Sequence, residues 1–405
     1  MLPGSLTFAI LGLVLTGQVA RAQTPAQRAR DLGIPLDGTP GQLDAITDVP
    51  GVEVGHTTLI RGAGALRVGS GPVRTGVTVV FPRGTADLAP VFGGWFSLNG
   101  NGEMTGTAWL DDYALLLYPV SITNTNSVGT VRDAVIEWGR TRVPGVFNCC
   151  LPVVAETWDG DLNDIYGFHV TKTAVFAALA AARGGPVVEG NVGGGTGMQC
   201  LGFKGGIGTA SRQLAGSAGG FVVGVLVQCN FGLRRQLRIA GVPVGQEIKA
   251  DPPCYDTNRP LTREQEPMRC PPRKMPVGEH GSIIVIIGTN APLLPHQLRR
   301  IARRATLGIG RMGGVSGAGS GDLFLAFSTA RVEEHGDSIG VLPLTMLSDE
   351  RIDPIYEATV QATEEAIINA LLAARTMTGA DDLRVTALPH DQLRGILRKY
   401  GRLRN

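Results

Sequence analysis

The chain has 405 residues, of which 43% are hydrophobic and 18% charged, and a net charge of +2, so it can bury a large core as one domain or two. That balance excludes the strong basic field of a nucleic-acid-binding protein, and 57 glycines without a collagen-like period mark tight turns and close packing. There is no charge block, low-complexity tract or internal repeat.

The first element is a targeting segment. Leu6 to Leu15 is apolar but too short to span a bilayer, and the small-x-small site Ala20-Arg21-Ala22 follows it. Residues 1–22 therefore read as a signal peptide, although no Lys or Arg precedes the apolar stretch. Export implies a periplasmic or secreted protein in an oxidising compartment, with no membrane association once the signal is removed. Of the six cysteines, Cys254 and Cys270 sit in the Pro-rich, charged stretch Pro252 to Pro276 and could bridge it. Cys149, Cys150, Cys200 and Cys229 lie in apolar or Gly-rich surroundings and read as small core residues. No CxxC pair occurs and the histidines lack metal-ligand spacing, so neither a metal nor a cofactor is expected.

Val52 to His56 and Gly76 to Phe81 read as short strands from their β-branched content. Val91 to Met104, rich in Gly and Asn and carrying Trp95, Asn99, Asn101 and Glu103, reads as a loop, with a pocket wall as the functional alternative. Tyr118 to Gly129 is a strand running into a polar turn. Thr130 to Trp138 follows with helical spacing of Val131, Ala134, Val135 and Trp138.

Leu151 to Gly160 is a strand that ends in an acid, Glu156, and an aromatic, Trp158. Glu156 is either a solvated edge charge or a group that meets a substrate cation. Thr171 to Arg183 is an Ala-rich helix. Gly190 to Met198 lacks both the G-x-G-x-x-G register and a following GK[ST], so close backbone packing beside a site is expected rather than nucleotide binding. Phe221 to Val227 is a strand whose segment ends on Asn230. An amide there can donate to a developing oxyanion, or be a buried structural Asn.

Pro252 to Pro276 reads as an exposed loop leading to Gly281-Ser282-Ile283-Ile284-Val285-Ile286-Ile287-Gly288. Five β-branched residues in a row favour a strand buried on both faces, with Ser282 at its mouth. Gly281 lacks a Cβ, which frees the backbone geometry at a bond that a neighbouring hydroxyl could break. Pro295 to Thr306 is a basic helix whose arginines read as a solvated face. Gly308 to Gly313 matches G-x-G-x-x-G but follows a helix, so the dinucleotide reading lacks its context. Ser320 and Asp322 lie at the mouth of the strand Leu323 to Ser328, as turn-formers or as supports for a nucleophile. Asp353 as N-cap and Pro354 open a helix to about Thr376, with Gly379 just past its end.

No GxSxG elbow is present and no His sits in a triad context, which weakens a Ser-His-Asp reading. A Ser that is itself N-terminal carries its own base, because an α-amino group has an ordinary pKa of about 7.7 to 8.0.

The stretches "SITNTNSVGTVRDAVIEW", "LPVVAETWDGDLNDIYGFHV", "EGNVGGGTGM", "VLVQCNFG", "GSIIVIIGTNAPLLPHQLRRIARRA", "GSGDLFLAFSTA" and "QATEEAIINALLAARTMTG" run from Ser121 to Gly379. They resemble the self-processing family of L-aminopeptidase/D-esterase-amidases and β-peptidyl aminopeptidases. The resemblance implies an αββα sandwich shared with ornithine acetyltransferase. It also implies autocleavage between Gly281 and Ser282, giving an α chain of 23–281 and a β chain of 282–405 within one catalytic domain. Ser282 matches the family nucleophile, Asn230 the oxyanion-hole amide, and Ser320 and Asp322 two polar supports, the second being Glu in some β-peptide-cleaving members. Glu156 matches the acid that holds the substrate's free amino group. Trp158 stands where some members carry Tyr, so any hydroxyl there is missing. The implied activity is release of N-terminal residues from short peptides, amides or esters, by a homo-oligomer of processed units. An endo-acting amidase or acyltransferase on the same fold remains an alternative, as does a non-catalytic secreted binding protein.

Overall fold

The computed structural model describes residues 27–142, 151–273, 278, 281–331 and 341–403. Its main elements are β1 (Glu53–Arg61), β2 (Val73–Phe81), β3 (Val91–Gly100), β4 (Val120–Asn124), α1 (Val128–Arg142), β5 (Val154–Thr157), α2 (Lys172–Ala180), β6 (Gly206–Gln213), β7 (Val222–Asn230), β8 (Ser282–Thr289), α3 (Pro295–Arg311), β9 (Gly321–Ser328) and α4 (Asp353–Ala373). A smaller sheet has the order β1-β2-β4-β5. A larger one runs from the short strand Leu115–Leu116 through β3, β9, β8 and β7 to β6.

The β-branched run of β8 shows how the layers arise. Side chains alternate across a strand, so an uninterrupted apolar run needs cover on both faces. Ile283, Val285 and Ile287 join Leu298 and Ile301 of α3 and Ile367 and Leu371 of α4 in one core. Ile284 and Ile286 face the other way and join Val80, Ile122 and Ala155 of the smaller sheet in a second. A third core packs Val77, Val79 and Phe81 against Val131 and Val135 of α1 and Val175 and Leu179 of α2. Helices, sheet, sheet, helices: this is the αββα sandwich. Each fully buried Ile of β8 contributes roughly 1.5–3 kcal/mol, so the strand is anchored from both sides.

Several local expectations change. The Val91–Met104 stretch is a loop only past Gly100: its Val91–Gly100 part, β3, is an inner strand of the larger sheet, paired with β9 through residues such as Phe96 and Phe324. Its Gly content reflects close approach, since a Cβ on Gly94 would sit 2.6 Å from the Arg299 backbone of α3. Asp353 is not an N-cap; Ile352 holds that position without a side-chain cap, and the helix ends at Ala373. α3 continues to Arg311, so the first glycines of the G-x-G-x-x-G match lie in a helical turn. Gly193 to Gly195 pack tightly as expected; a Cβ on Gly194 would sit 2.2 Å from Gln228 Oε1.

Cys254 and Cys270 are bridged. Cys200 and Cys229 are buried but are not free thiols; they form a second disulfide. Cys149 and Cys150 lie outside the described residues, as does the 1–22 segment. Among the described residues no helix is long and apolar enough to cross a membrane, and no His/Cys/Asp/Glu group could hold a metal ion.

Candidate active site

Three strand ends meet at one point because β8 runs parallel to β9 and antiparallel to β7. Asn230 stands opposite Ser282 on one side, and Gly321 opposite Ser282 on the other. Ser282 is 5% exposed and shares the face of Ile284 and Ile286, toward the smaller sheet. The Gly321 N–H donates to Ser282 Oγ at 3.2 Å, and it also lies 3.1 Å from the carbonyl oxygen of Gly281. One donor thus reaches both the hydroxyl and the carbonyl of the bond beside it. Sequence reasoning missed Gly321 because its contribution is a backbone N–H.

The structure gives the Gly at 281 a steric reason. A Cβ there would lie 2.1 Å from the Asn230 carbonyl oxygen, so close backbone approach excludes a side chain.

Ser320 and Asp322 are both fully buried. Asp322 Oδ1 accepts from Ser320 Oγ at 2.8 Å and from the Ile283 N–H at 3.2 Å. Asp322 alternates with Leu323 and shares the helix-facing side of Ile283 and Phe324. It therefore holds the backbone next to Ser282 from behind the sheet. Asn99 Nδ2 donates to the Gly317 carbonyl at 2.5 Å and Asn101 Nδ2 to that of Gly319 at 2.8 Å, tying the Ser320 loop to β3.

The amide of Asn230 is fixed at both ends. The Gln199 N–H donates to its Oδ1 at 2.7 Å, and its Nδ2 donates to the Trp158 carbonyl at 2.9 Å. A backbone N–H demands an acceptor, so the oxygen must face Gln199, and one amide N–H is left for a ligand. Cys200, next to Gln199, is bonded to Cys229, next to Asn230, which clips the donor to its acceptor.

Glu156, 3% exposed, is no edge charge. Its Oε1 accepts from the Glu103 N–H at 2.8 Å, and Thr125 Oγ1 donates to Oε2. Burial pushes its carboxyl above the usual range; the Thr125 and Glu103 donors oppose that shift. A Cβ on Gly102 would lie 3.2 Å from Glu156 Oε1 and 3.3 Å from the Gly321 Cα, so the carboxylate and the Ser282 contact flank one position.

Trp158 is 37% exposed and lines a cavity of about 310 Å³ with Asn230, Phe231, Leu233, Pro253 and Gly281. Behind it, buried Asp159 accepts from Asn163 Nδ2 at 3.0 Å, and burial pushes its carboxyl up to about 7.

A model of peptidase family S58 matches residues 44–385. Beta-peptidyl aminopeptidase BapA of Sphingosinicella microcystinivorans is 51% identical over 395 residues, 97% of this chain and 97% of that protein. The BapA of Sphingosinicella xenopeptidilytica is 46% identical over 392 residues, 96% and 95% of the two chains. Among solved structures, a beta-aminopeptidase from a Burkholderia species superposes with a TM-score of 0.79 at 45% identity, covering 93% of this chain and 99% of its own. The L-aminopeptidase D-Ala-esterase/amidase of Ochrobactrum anthropi gives 0.82 at 45% identity with the same coverage, and is described as a prototype of the serine aminopeptidases and a variant of the Ntn hydrolase fold.

Proposed function

Because the chain belongs to peptidase family S58, and is a serine aminopeptidase of the N-terminal-nucleophile type, we propose that Ser282 cuts its own chain and then serves as the nucleophile. The carrying observation is the shared Gly321 N–H, within reach of both Ser282 Oγ and the Gly281 carbonyl. In processing, Ser282 Oγ attacks the carbonyl carbon of Gly281. The C–N bond breaks, the nitrogen takes the hydroxyl proton, and an ester links the two residues. Water hydrolyses that ester, leaving a Gly281 carboxylate and a Ser282 with a free amine.

In turnover, Glu156 holds the ammonium group of the substrate and the carbonyl of its first residue meets Ser282 Oγ. The Ser282 amine takes the hydroxyl proton, and the Asn230 amide and the Gly321 N–H stabilise the oxyanion. The leaving amine departs with a proton, and water releases the acyl group. Trp158 brings no hydroxyl to this step. Ser320 and Asp322 position the strand mouth.

The names of the two BapA relatives support short peptides that begin with a β-amino acid as the substrate class. The N-terminal 22 residues act as an export signal, so the enzyme works in the periplasm or outside the cell, as a homo-oligomer of processed α and β chains. Glu156, a buried anion beside the nucleophile, favours an exo-acting aminopeptidase over an endo-acting amidase or acyltransferase.

Ser282→Ala is expected to leave one uncut chain with no turnover, while wild type yields two chains meeting between residues 281 and 282 in a denaturing mass measurement. A cut, active Ser282→Ala protein overturns the assignment.

A further inference from the structure

The cavity beside Asn230 and Gly281 has a feature that ester or amide cleavage does not require: two consecutive arginines in its wall, Arg234 and Arg235. Arg234 is 8% exposed and immobile. It donates to the main-chain carbonyls of Ala250 (2.6 Å), Gly202 (2.8 Å) and Asp251 (3.0 Å), and stacks 4.2 Å above the Phe203 ring. Those partners are neutral carbonyls, so the charge is held rather than cancelled, and its buried Nε has no hydrogen-bond partner. The nearby Asp251 carboxylate is engaged by Arg384 at 3.1 Å. Arg235 is exposed, and among the described residues no hydrogen bond or ion pair engages its guanidinium. The acid in the same wall, Asp161, already accepts from Gln199 Nε2 at 2.7 Å.

Glu156 does not line this cavity. A substrate with its amine at Glu156 and its carbonyl at Ser282 therefore has its far end left to place. About 310 Å³ suits one or two residues, not a long chain. We propose that the cavity is a carboxylate subsite: Arg235, backed by the fixed charge of Arg234, binds the C-terminal carboxylate of a di- or tripeptide, so that free peptides are preferred to amides and longer chains. Guanidinium groups suit this because their fork of donors matches a carboxylate in two parallel hydrogen bonds. The inference rests on the aminopeptidase reading given above.

The test pairs one peptide in two forms, β-homoalanyl-leucine and its C-terminal amide, and compares kcat/KM for the processed enzyme. Wild type is expected to favour the acid roughly tenfold, the worth of one charge-assisted hydrogen bond, and mainly through KM. Arg235→Gln should bring the acid-to-amide ratio toward one, and Arg235→Glu should invert it. A wild-type ratio of one, or a ratio unmoved by either substitution, overturns the subsite while leaving the aminopeptidase intact. Cleavage of neither form would overturn both readings.

Discussion

The two ends of β7 are built from the same materials and put them to opposite uses. At its start, Val223 pairs with Arg212 of β6; at its finish, about 23 Å away at 3.3 Å per residue, Asn230 pairs with Ser282. Around Arg212 the guanidinium groups of Arg28, Arg30 and Arg212 face the carboxylates of Asp44, Glu189 and Glu365. The contacts include Arg212 to Glu365 at 2.7 Å, Arg30 to Glu365 at 2.9 Å and Arg28 to Glu189 at 2.9 Å. Three guanidinium groups meet three carboxyls, each engaged from several sides, and burial with the neighbouring Glu365 pushes the Asp44 carboxyl up to about 7. At the Ser282 end each polar group is anchored only by uncharged partners and keeps capacity to spare: Asn230 by Gln199 and Trp158, Glu156 by the Glu103 N–H and Thr125, Ser282 by the Gly321 N–H. A closed network holds elements together, whereas a half-closed one holds a reagent in position and leaves capacity for something else.

That contrast can be broken from either end. The largest effect on stability is expected at the closed end. Glu365→Ala would strand the Arg212 and Arg30 charges where burial is costly, losing about 3–5 kcal/mol. A shift in the urea midpoint of the processed enzyme measures this. Activity per folded molecule should hold, because the site is a strand length away; a fall in kcat as large as the fall in stability would show that the two ends are coupled.

At the open end the effect moves from stability to rate. Asn230→Ala is expected to lower kcat about 10²–10³-fold, the usual cost of one oxyanion donor. Its effect on stability should be smaller, about 1–3 kcal/mol for an unpaired Gln199 N–H. Turnover within threefold of wild type would remove Asn230 from the oxyanion site.

The same division explains what could be read from the sequence. The strand mouths were legible because short apolar runs announce buried strands: Ser282 and Asn230 stand at the ends of β-branched runs, and Ser320 and Asp322 before the Leu/Phe run of β9. The αββα layering came from the family resemblance, and the alternation of β8 explains it. Backbone donors such as those of Gly321, Gln199 and Glu103 leave no mark on residue type. β3 was hidden because Gly94 serves close approach to α3 while Asn99, and Asn101 just past the strand, tie down a loop, so the composition imitates a loop. The ionic cluster draws residues from Arg28 to Glu365, a separation that no local pattern can report. The Cys200–Cys229 bridge joins two apolar, Gly-rich segments in which cysteine looks like an ordinary small core residue.

The smallest of these effects separates the two groups proposed to titrate in turnover, Glu156 and the Ser282 amine. Glu156 must be ionised to hold an ammonium, and burial has moved its carboxyl above the usual range. On the acid side, kcat/KM should therefore rise with pH as Glu156 ionises, at a higher pH than for an exposed carboxylate. A second limb belongs to the Ser282 amine, whose ordinary pKa of about 7.7 to 8.0 lies higher. Glu156→Gln keeps the shape and the Thr125 contact but removes the charge. It is expected to lower kcat/KM roughly 10- to 150-fold, the worth of one hydrogen bond to a charged group. It should also erase the lower limb and leave the upper one. Since kcat/KM reports the free enzyme, the limb that disappears identifies the group that meets the amine. A lower limb that survives the substitution would assign it to another residue and return Glu156 to a structural role.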